Sequence, residues 1–543
     1  MIHFNYRRTL LQGNSCGNPH SPVTPAKLFV IVQLPVSWLV FYMRTKLLIA
    51  FLLTGWLAFG LQAEVRVPAV FSDNMVLQQG EPVPVWGWAD DGETVTIHFR
   101  GQNVTATASN LKWSAKLKPL KAGGPDTMTI RSEQNTITLK NVLVGEVWVC
   151  SGQSNMEWPL SRAFQPAEDI ASATNTQIRL FKVPKNRLET PTTVIKSSWE
   201  VLTPESVPNF SAVGYYFGRD LQKARNVPVG LIGTYWGGTP ARAWMDRESL
   251  EINPRYQAEI LEKQSAAVKN WKEALAQWEK ERDAAKAEGK TFNKRQPGQP
   301  WNGYELYNGM IAPLVPYAIK GAIWYQGESD ASQAELYRTL YPDMIRCWRR
   351  SWQDPDLAFF CVQLAPFKDI KPEPGESDWA ELREAQLLST KVLPKAGMAV
   401  ITDVGEEKDI HPTKKQPVGA RLALAARAIA YGEKIEYSGP LYCGLEIQGN
   451  QAVVSFDHAK SGLEARGGDL KGFAICGEDR KWVWGKAEIR GDKVVVTSPE
   501  VAKPVAVRYG WADYPVVNLW NKAGLPATPF RTDDFPMITA PKS

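Results

Sequence analysis

Apolar positions change their period twice along the chain. From residue 64 to about 143, runs such as "TVTIHF", "WSAKL" and "TITLKNV" alternate apolar and polar residues, with Gly, Asn, Asp and Pro between them. Period-two alternation buries one face of each run, so the spacing predicts a small β-sandwich or jelly-roll-like domain over 64–143. From residue 144 the strand candidates become continuously apolar, as in "VWVCSG", "PVGLIGTYWGG", "KGAIWYQGE" and "LAFFCVQLAPF". They alternate with helical stretches such as "AVGYYFGRDLQKA" and "PVGARLALAARAIAYG". Strands buried on both faces and joined by helices predict a parallel α/β sheet over 144–432. After Gly432 short strands return, in "LEIQGNQAVVSFD", "FAICG" and "PVAVRYGW", which predicts a C-terminal β-domain over 433–543. One stretch, at about 250–298, fits neither pattern. It carries a polar helix with Leu261, Val268 and Leu275 seven apart, and Trp271 and Trp278 likewise, before "GKTFNKRQPGQPWNG" breaks it. This spacing predicts a helical hairpin or packing arm inserted into the α/β domain.

The start of the chain carries a different signal. From Met43, Arg44 and Lys46 precede the apolar run Leu47 to Leu61, and Ala63 offers a cleavage position. That order is the pattern of a secretory signal peptide. The expectation is translation from Met43, with residues 1–42 a gene-model extension, and a periplasmic or secreted product. A second apolar run, "LFVIVQLPVSWLVFY", lies upstream; both runs are shorter than the ~20 residues of a spanning helix. No stable membrane span is expected after cleavage.

Composition narrows the class further. The chain has 543 residues, 44% hydrophobic and 22% charged, which suits a globular protein of several domains. A net charge of +6 without a dense basic cluster gives no nucleic-acid footprint, while permitting an anionic small substrate. Six cysteines form no CxxC and no zinc spacing with histidine, so neither a metal nor a cofactor is expected. Cys443 and Cys476 could pair in an oxidising compartment. The 21 tryptophans lean toward carbohydrate, because indole faces stack on sugar rings as well as filling cores. Nothing in the pattern fixes the oligomeric state.

The candidate chemistry begins at "VWVCSGQSNMEWPL", Val147 to Leu160, where an apolar run turns abruptly into a small polar corner. A serine there sits where open α/β sheets gather their active sites, at the carboxyl end of a strand. Serine needs a base, and histidine is scarce: only five occur, and of these only His411 falls within the α/β domain. His98 and His458 fall in the β-domains, and His3 and His20 in the upstream segment. His411 lies in "ITDVGEEKDIHPTKK", after an apolar strand and before a helix, with Asp409 two residues earlier and Asp403 a competing partner. A carboxylate at either position could accept the Nδ1 proton and fix the tautomer. Acyl transfer also needs donors for an oxyanion. Gly237 and Gly238 in "TYWGGTPARAW" and the amide of Gln326 in "WYQGESD" are the candidates.

Together, "CSGQSNM", "GGTPARAW", "WYQGESD" and "DIHP" resemble the blocks of the SGNH-hydrolase superfamily, and in particular the sialate O-acetylesterase family of carbohydrate esterases. "FSDNMVLQQGEPVPVWGWA" and "FRTDDF" extend the resemblance from about Val65 to near the end. The resemblance implies an SGNH-type parallel-sheet hydrolase domain flanked by β-domains, acting on acetyl esters of a sugar or glycan. It implies Ser154 as nucleophile, His411 as base, and an oxyanion hole made by the N–H groups of Ser154 and of Gly237 or Gly238 with the Gln326 amide. Two positions depart from the pattern. Lys408 stands where the superfamily has the Asp of Asp-x-x-His, leaving Asp409, Asp403 or a Ser–His dyad open. Asp330 stands where the family commonly has Asn. An acetylxylan or other polysaccharide deacetylase on the same scaffold, and a carbohydrate-binding protein without activity, are the rival readings.

Overall fold

The strand Thr136–Gly152 is the axis of the fold. In the computed structural model, which describes residues 64–541, this strand joins two environments. Its first part pairs antiparallel with Gly123–Arg131 among the N-terminal strands and leaves alternate residues exposed. From Val142 onward every residue is buried, and the strand lies parallel between Val229–Tyr235 and Gly321–Tyr325. The boundary expected at 143/144 therefore falls inside one continuous strand. The change of period marks where the strand passes from a sheet with one wet face into a sheet covered on both.

The central sheet runs in the order Ala396–Ala399, Ala358–Val362, Gly321–Tyr325, Thr136–Gly152, Val229–Tyr235, Ile178–Lys182, Trp199–Val201. Neighbours along it are parallel except the last, which is antiparallel to Ile178–Lys182. Successive residues of the axial strand feed opposite cores. Val147 and Val149 pack with Trp324, Tyr337, Tyr341 and Leu382, whereas Trp148 and Cys150 pack with Val213, Tyr216, Phe360 and Leu422. Helices Ala334–Trp352 and Asp378–Val392 supply the first face; Ala212–Arg225 and Gln416–Ile429 supply the second. Ser211 caps Ala212–Arg225 by accepting the Gly214 N–H at 3.0 Å. That helix meets Gln416–Ile429 at Gly419, where a Cβ would stand 2.6 Å from Tyr216 Cβ.

The C-terminal strands form two four-stranded sheets facing a common core that includes Val454, Val496, Phe473, Ile475 and Phe530. The expected Cys443–Cys476 pair does not form. Cys443 is exposed on Leu441–Gln448 of one sheet, Cys476 is buried on Phe473–Cys476 of the other, and both are free thiols. The insertion is a packing arm. Helix Lys263–Ala287 buries no residue fully, and the segment after it returns along its half-buried side. The indoles of Trp271 and Trp278 donate to Pro297 O at 3.1 Å and Lys294 O at 2.7 Å. Among the described residues no helix is long and apolar enough to cross a membrane. The predicted signal segment Met43–Ala63 lies outside the described residues.

Candidate active site

The carboxyl ends of the axial strand and its neighbours bring the sequence blocks together. Gly152 makes the corner possible. Its φ is +135°, and a Cβ there would lie 2.2 Å from Tyr325 O. With no side chain in the way, Gln153 N–H reaches Tyr325 O at 2.9 Å, and the short helix Ser154–Glu157 starts immediately. Ser151, by contrast, is fully buried inside the sheet. The first N–H groups of such a helix have no carbonyl one turn back, so Ser154 N–H is left for another acceptor.

Ser154 Oγ and His411 Nε2 stand 2.9 Å apart. The imidazole stacks on Trp158, with ring centroids 5.3 Å apart and planes 18° from parallel. Burial lowers the His411 pKa from its ordinary value; Asp409 opposes the shift, and Lys415 and Arg162 reinforce it. A ring kept neutral, with its proton on Nδ1, leaves Nε2 as an acceptor for the serine hydroxyl. Asp409 Oδ1 lies 3.5 Å from Nδ1, but its nearer contact is the His411 backbone N–H at 2.8 Å. It therefore shapes the loop as much as it orients the ring. Asp403 is elsewhere, held by both terminal nitrogens of Arg421 at 2.6 and 2.8 Å.

The oxyanion candidates divide. Gly237 sits against Ser154: a Cβ there would be 3.2 Å from Ser154 Cβ. Its N–H, however, donates to Glu157 Oε2 at 2.8 Å, and Lys185 pairs with the other oxygen of that carboxylate at 2.6 Å. Gly238, at φ +73°, has open space where a side chain would be. Gln326 does not face the site. Its side chain is fully buried, and its amide nitrogen donates to Asp330 Oδ2 at 2.6 Å and Thr239 O at 3.2 Å. Its oxygen accepts from Tyr337 Oη at 3.0 Å. The expectation of a Gln326 donor is thus corrected: with Asp330, which also accepts Ala241 N–H at 2.8 Å, it braces the glycine loop.

The sequence reasoning missed the residue that ties the loops together. Asn155 is fully buried, and its amide donates to Glu328 Oε1 at 2.5 Å and to Ile410 O at 2.9 Å. Its oxygen accepts from Lys415 Nζ. One amide thus connects the Ser154 corner, the loop after Gly321–Tyr325 and the histidine loop. Burial pulls Lys415 down to about 7 and pushes Glu328 up, each partly opposed by the other's charge. The signal for Asn155 was present, since it sits inside "GQSNM"; Lys415 and Glu328 carry no pattern that separates them from surface charges. Lys185 is matched by Glu157 of the Ser154 helix, while elsewhere Arg187 is matched by Glu305 at 2.7 Å and Arg242 by Asp330 at 4.0 Å. Arg162 instead rests over Trp158, 4.1 Å from the ring centroid, and is exposed. Among the described residues no group of His, Cys, Asp and Glu is arranged to hold a metal ion.

Comparison with known proteins places these features in a context. A family model described as carbohydrate esterase, sialic acid-specific acetylesterase, matches residues 289–428, a span that includes Gln326, Glu328, His411 and Lys415. The sialate O-acetylesterase of Rattus norvegicus is 29% identical over 518 residues, covering 85% of this chain and 93% of that protein. Its counterpart in Homo sapiens is 28% identical over 517 residues, covering 86% and 92%. The crystal structure of a carbohydrate acetylesterase from Xanthomonas citri is similar with a TM-score of 0.75 at 38% identity, over 87% of this chain and 100% of that one.

Proposed function

Since the chain belongs to the sialate O-acetylesterase family of carbohydrate esterases, we propose that it removes acetyl groups from sugar hydroxyls, with O-acetylated sialic acid as the first substrate to test. The observation that carries the reading is the 2.9 Å contact between Ser154 Oγ and His411 Nε2, residues 257 positions apart. In this reading the domain is SGNH-type and Ser154 is the nucleophile. His411 Nε2 takes the hydroxyl proton as Oγ bonds to the acetyl carbonyl carbon. The negative charge that develops on the carbonyl oxygen is met by the Ser154 N–H and a glycine N–H of the Gly237–Gly238 turn. Gly237 can join only when Glu157 gives up its N–H, so Gly238 is the readier partner. Collapse of the tetrahedral intermediate breaks the bond to the sugar oxygen, which leaves with the proton from His411. Water, deprotonated by the same imidazole, then hydrolyses the acetyl-serine to acetate.

Arg162 favours the sialate assignment, because the substrate brings a carboxylate and this cation lies beside the base, over Trp158, with no carboxylate in contact among the described residues. One observation favours the second reading, an acetylxylan-type deacetylase. Lys185, beside the Ser154 helix, is matched by Glu157, which suits a neutral sugar. A panel decides: acetate release from O-acetylated sialic acid and from acetylated xylan, by the parent protein and Ser154→Ala. The reading expects turnover of at least one sugar ester and its loss in the variant; equal activity of the variant removes the mechanism. Export through the Met43–Ala63 segment is part of the proposal. N-terminal sequencing of protein recovered from the periplasm or medium should begin just after Ala63.

A further inference from the structure

Several tryptophans among the described residues are core residues. Trp148, Trp199, Trp244, Trp324 and Trp348 are essentially fully buried. Trp484 is not. It is 45% exposed, and among the described residues it is the only tryptophan among the exposed large apolar side chains. Its Nε1 donates to Pro372 O at 2.6 Å, which sets one edge of the ring against that loop. This bond spans from the C-terminal β-domain to the loop that follows strand Ala358–Val362. Between them lies a cavity of about 370 Å³, walled by Trp484, Trp511, Tyr514 and Pro372, with Lys371 and Lys471 also in its lining.

The seam around this cavity is built. Arg383, fully buried, donates to Leu364 O, Ala512 O and Asp513 O at 2.6–2.8 Å. Arg508 bonds Glu376 and Asp533 at 2.8 Å while lying 4.3 and 5.0 Å from the ring centroids of Trp482 and Trp511. The cavity is also tied to the histidine loop. Tyr514 Oη donates to Gly405 O at 3.3 Å, Ile370 N–H donates to Glu407 Oε1 at 3.3 Å, and Asp369 pairs with Lys408, three residues before His411. The loops carrying Pro372 and His411 leave the carboxyl ends of adjacent parallel strands. Cavity and serine–histidine pair thus share one edge of the sheet.

We propose that this cavity is a distal sugar subsite, holding against Trp484 a pyranose ring of the same glycan whose acetyl ester is cleaved at Ser154. A pyranose has apolar C–H faces and hydroxyl edges. An indole face with ammonium donors nearby answers both, and the volume is that of a small ligand pocket. The identity of the glycan rests on the esterase reading; the site does not. An exposed indole beside a cavity is apolar surface left in water, and a bound ring would remove it.

The test separates the two. Ser154→Ala protein is titrated calorimetrically with sialyllactose and with xylotetraose, neither of which reports turnover. At least one should bind, and adding Trp484→Ala should weaken it about tenfold. The single variant Trp484→Ala should keep parent activity on p-nitrophenyl acetate and lose any preference for an acetylated oligosaccharide over the acetylated monosaccharide. Absence of binding by both sugars, or equal binding after Trp484→Ala, overturns the subsite. So does a loss of p-nitrophenyl acetate hydrolysis in step with the oligosaccharide. Binding as expected without hydrolysis of any acetylated sugar would sink the esterase reading and leave the sugar site standing.

Discussion

Two polar segments of this chain are held in opposite ways. The corner Gly152–Glu157 and the arm Lys263–Pro297 are both rich in polar residues, and each is fixed by hydrogen bonds to distant carbonyls. In the corner the polar atoms are buried: Asn155 alone contacts Glu328, Ile410 and Lys415. In the arm the bonds of Trp271 and Trp278 lie at the surface and no helical residue is fully buried. A buried amide cannot exchange its partners for water, so its geometry is imposed; a surface bond can, and its loss is cheap. The rigid segment is the one that holds Ser154 beside His411.

The comparison breaks most visibly at the acting groups. Ser154→Ala or His411→Ala should lower kcat/KM for an acetyl ester by roughly 10⁴-fold or more, with the thermal midpoint nearly unchanged. Next comes Asn155→Ala, which leaves Lys415 and Glu328 short of a partner in the interior. It should cost about 3 kcal/mol of stability in denaturant titration and about 10²-fold in kcat by misplacing His411.

Asp409 gives a smaller, sharper effect. His411 must be neutral to act as base, so kcat/KM should rise with pH through a pKa below the ordinary imidazole value and then level off. The Asp409 charge raises that pKa, so Asp409→Asn should move the acid limb to lower pH. The plateau should fall about tenfold, far less than the ~10⁴-fold of a buried triad aspartate, because Asp409 is half exposed and 3.5 Å away. At the small end, Trp278→Ala in the arm should change kcat/KM less than twofold and stability by about 1 kcal/mol or less. An arm variant that damaged catalysis as Asn155→Ala does would erase the distinction between the segments.

The ordering of effects follows what a sequence can and cannot carry. The strands, the helices between them and the pairing of Ser154 with His411 were legible, because burial imposes a period and because histidine is rare enough here to force the partner. The 143/144 boundary falls within one strand because that strand crosses two environments, and period reports burial, not chain breaks. Gln326 was misread because an amide at a strand end looks the same whether it faces a substrate or Asp330; only the third dimension separates them. Lys415 and Glu328 were invisible for a related reason, since a charge buried against an opposite charge leaves no apolar signature along the chain. Asp409 was named but its strength was not, because loop spacing gives adjacency without the 3.5 Å separation that weakens it.

The central claim is that one hydroxyl, activated by one imidazole across the sheet edge, carries the acetyl group. Mass mapping of a covalent serine-reactive phosphonate tests it most directly. The account predicts a single adduct on the peptide containing Ser154, formed quickly in the parent, slowly in His411→Ala and not at all in Ser154→Ala. An adduct on another residue with parent-like kinetics, or unchanged labelling in the Ser154→Ala protein, would contradict it.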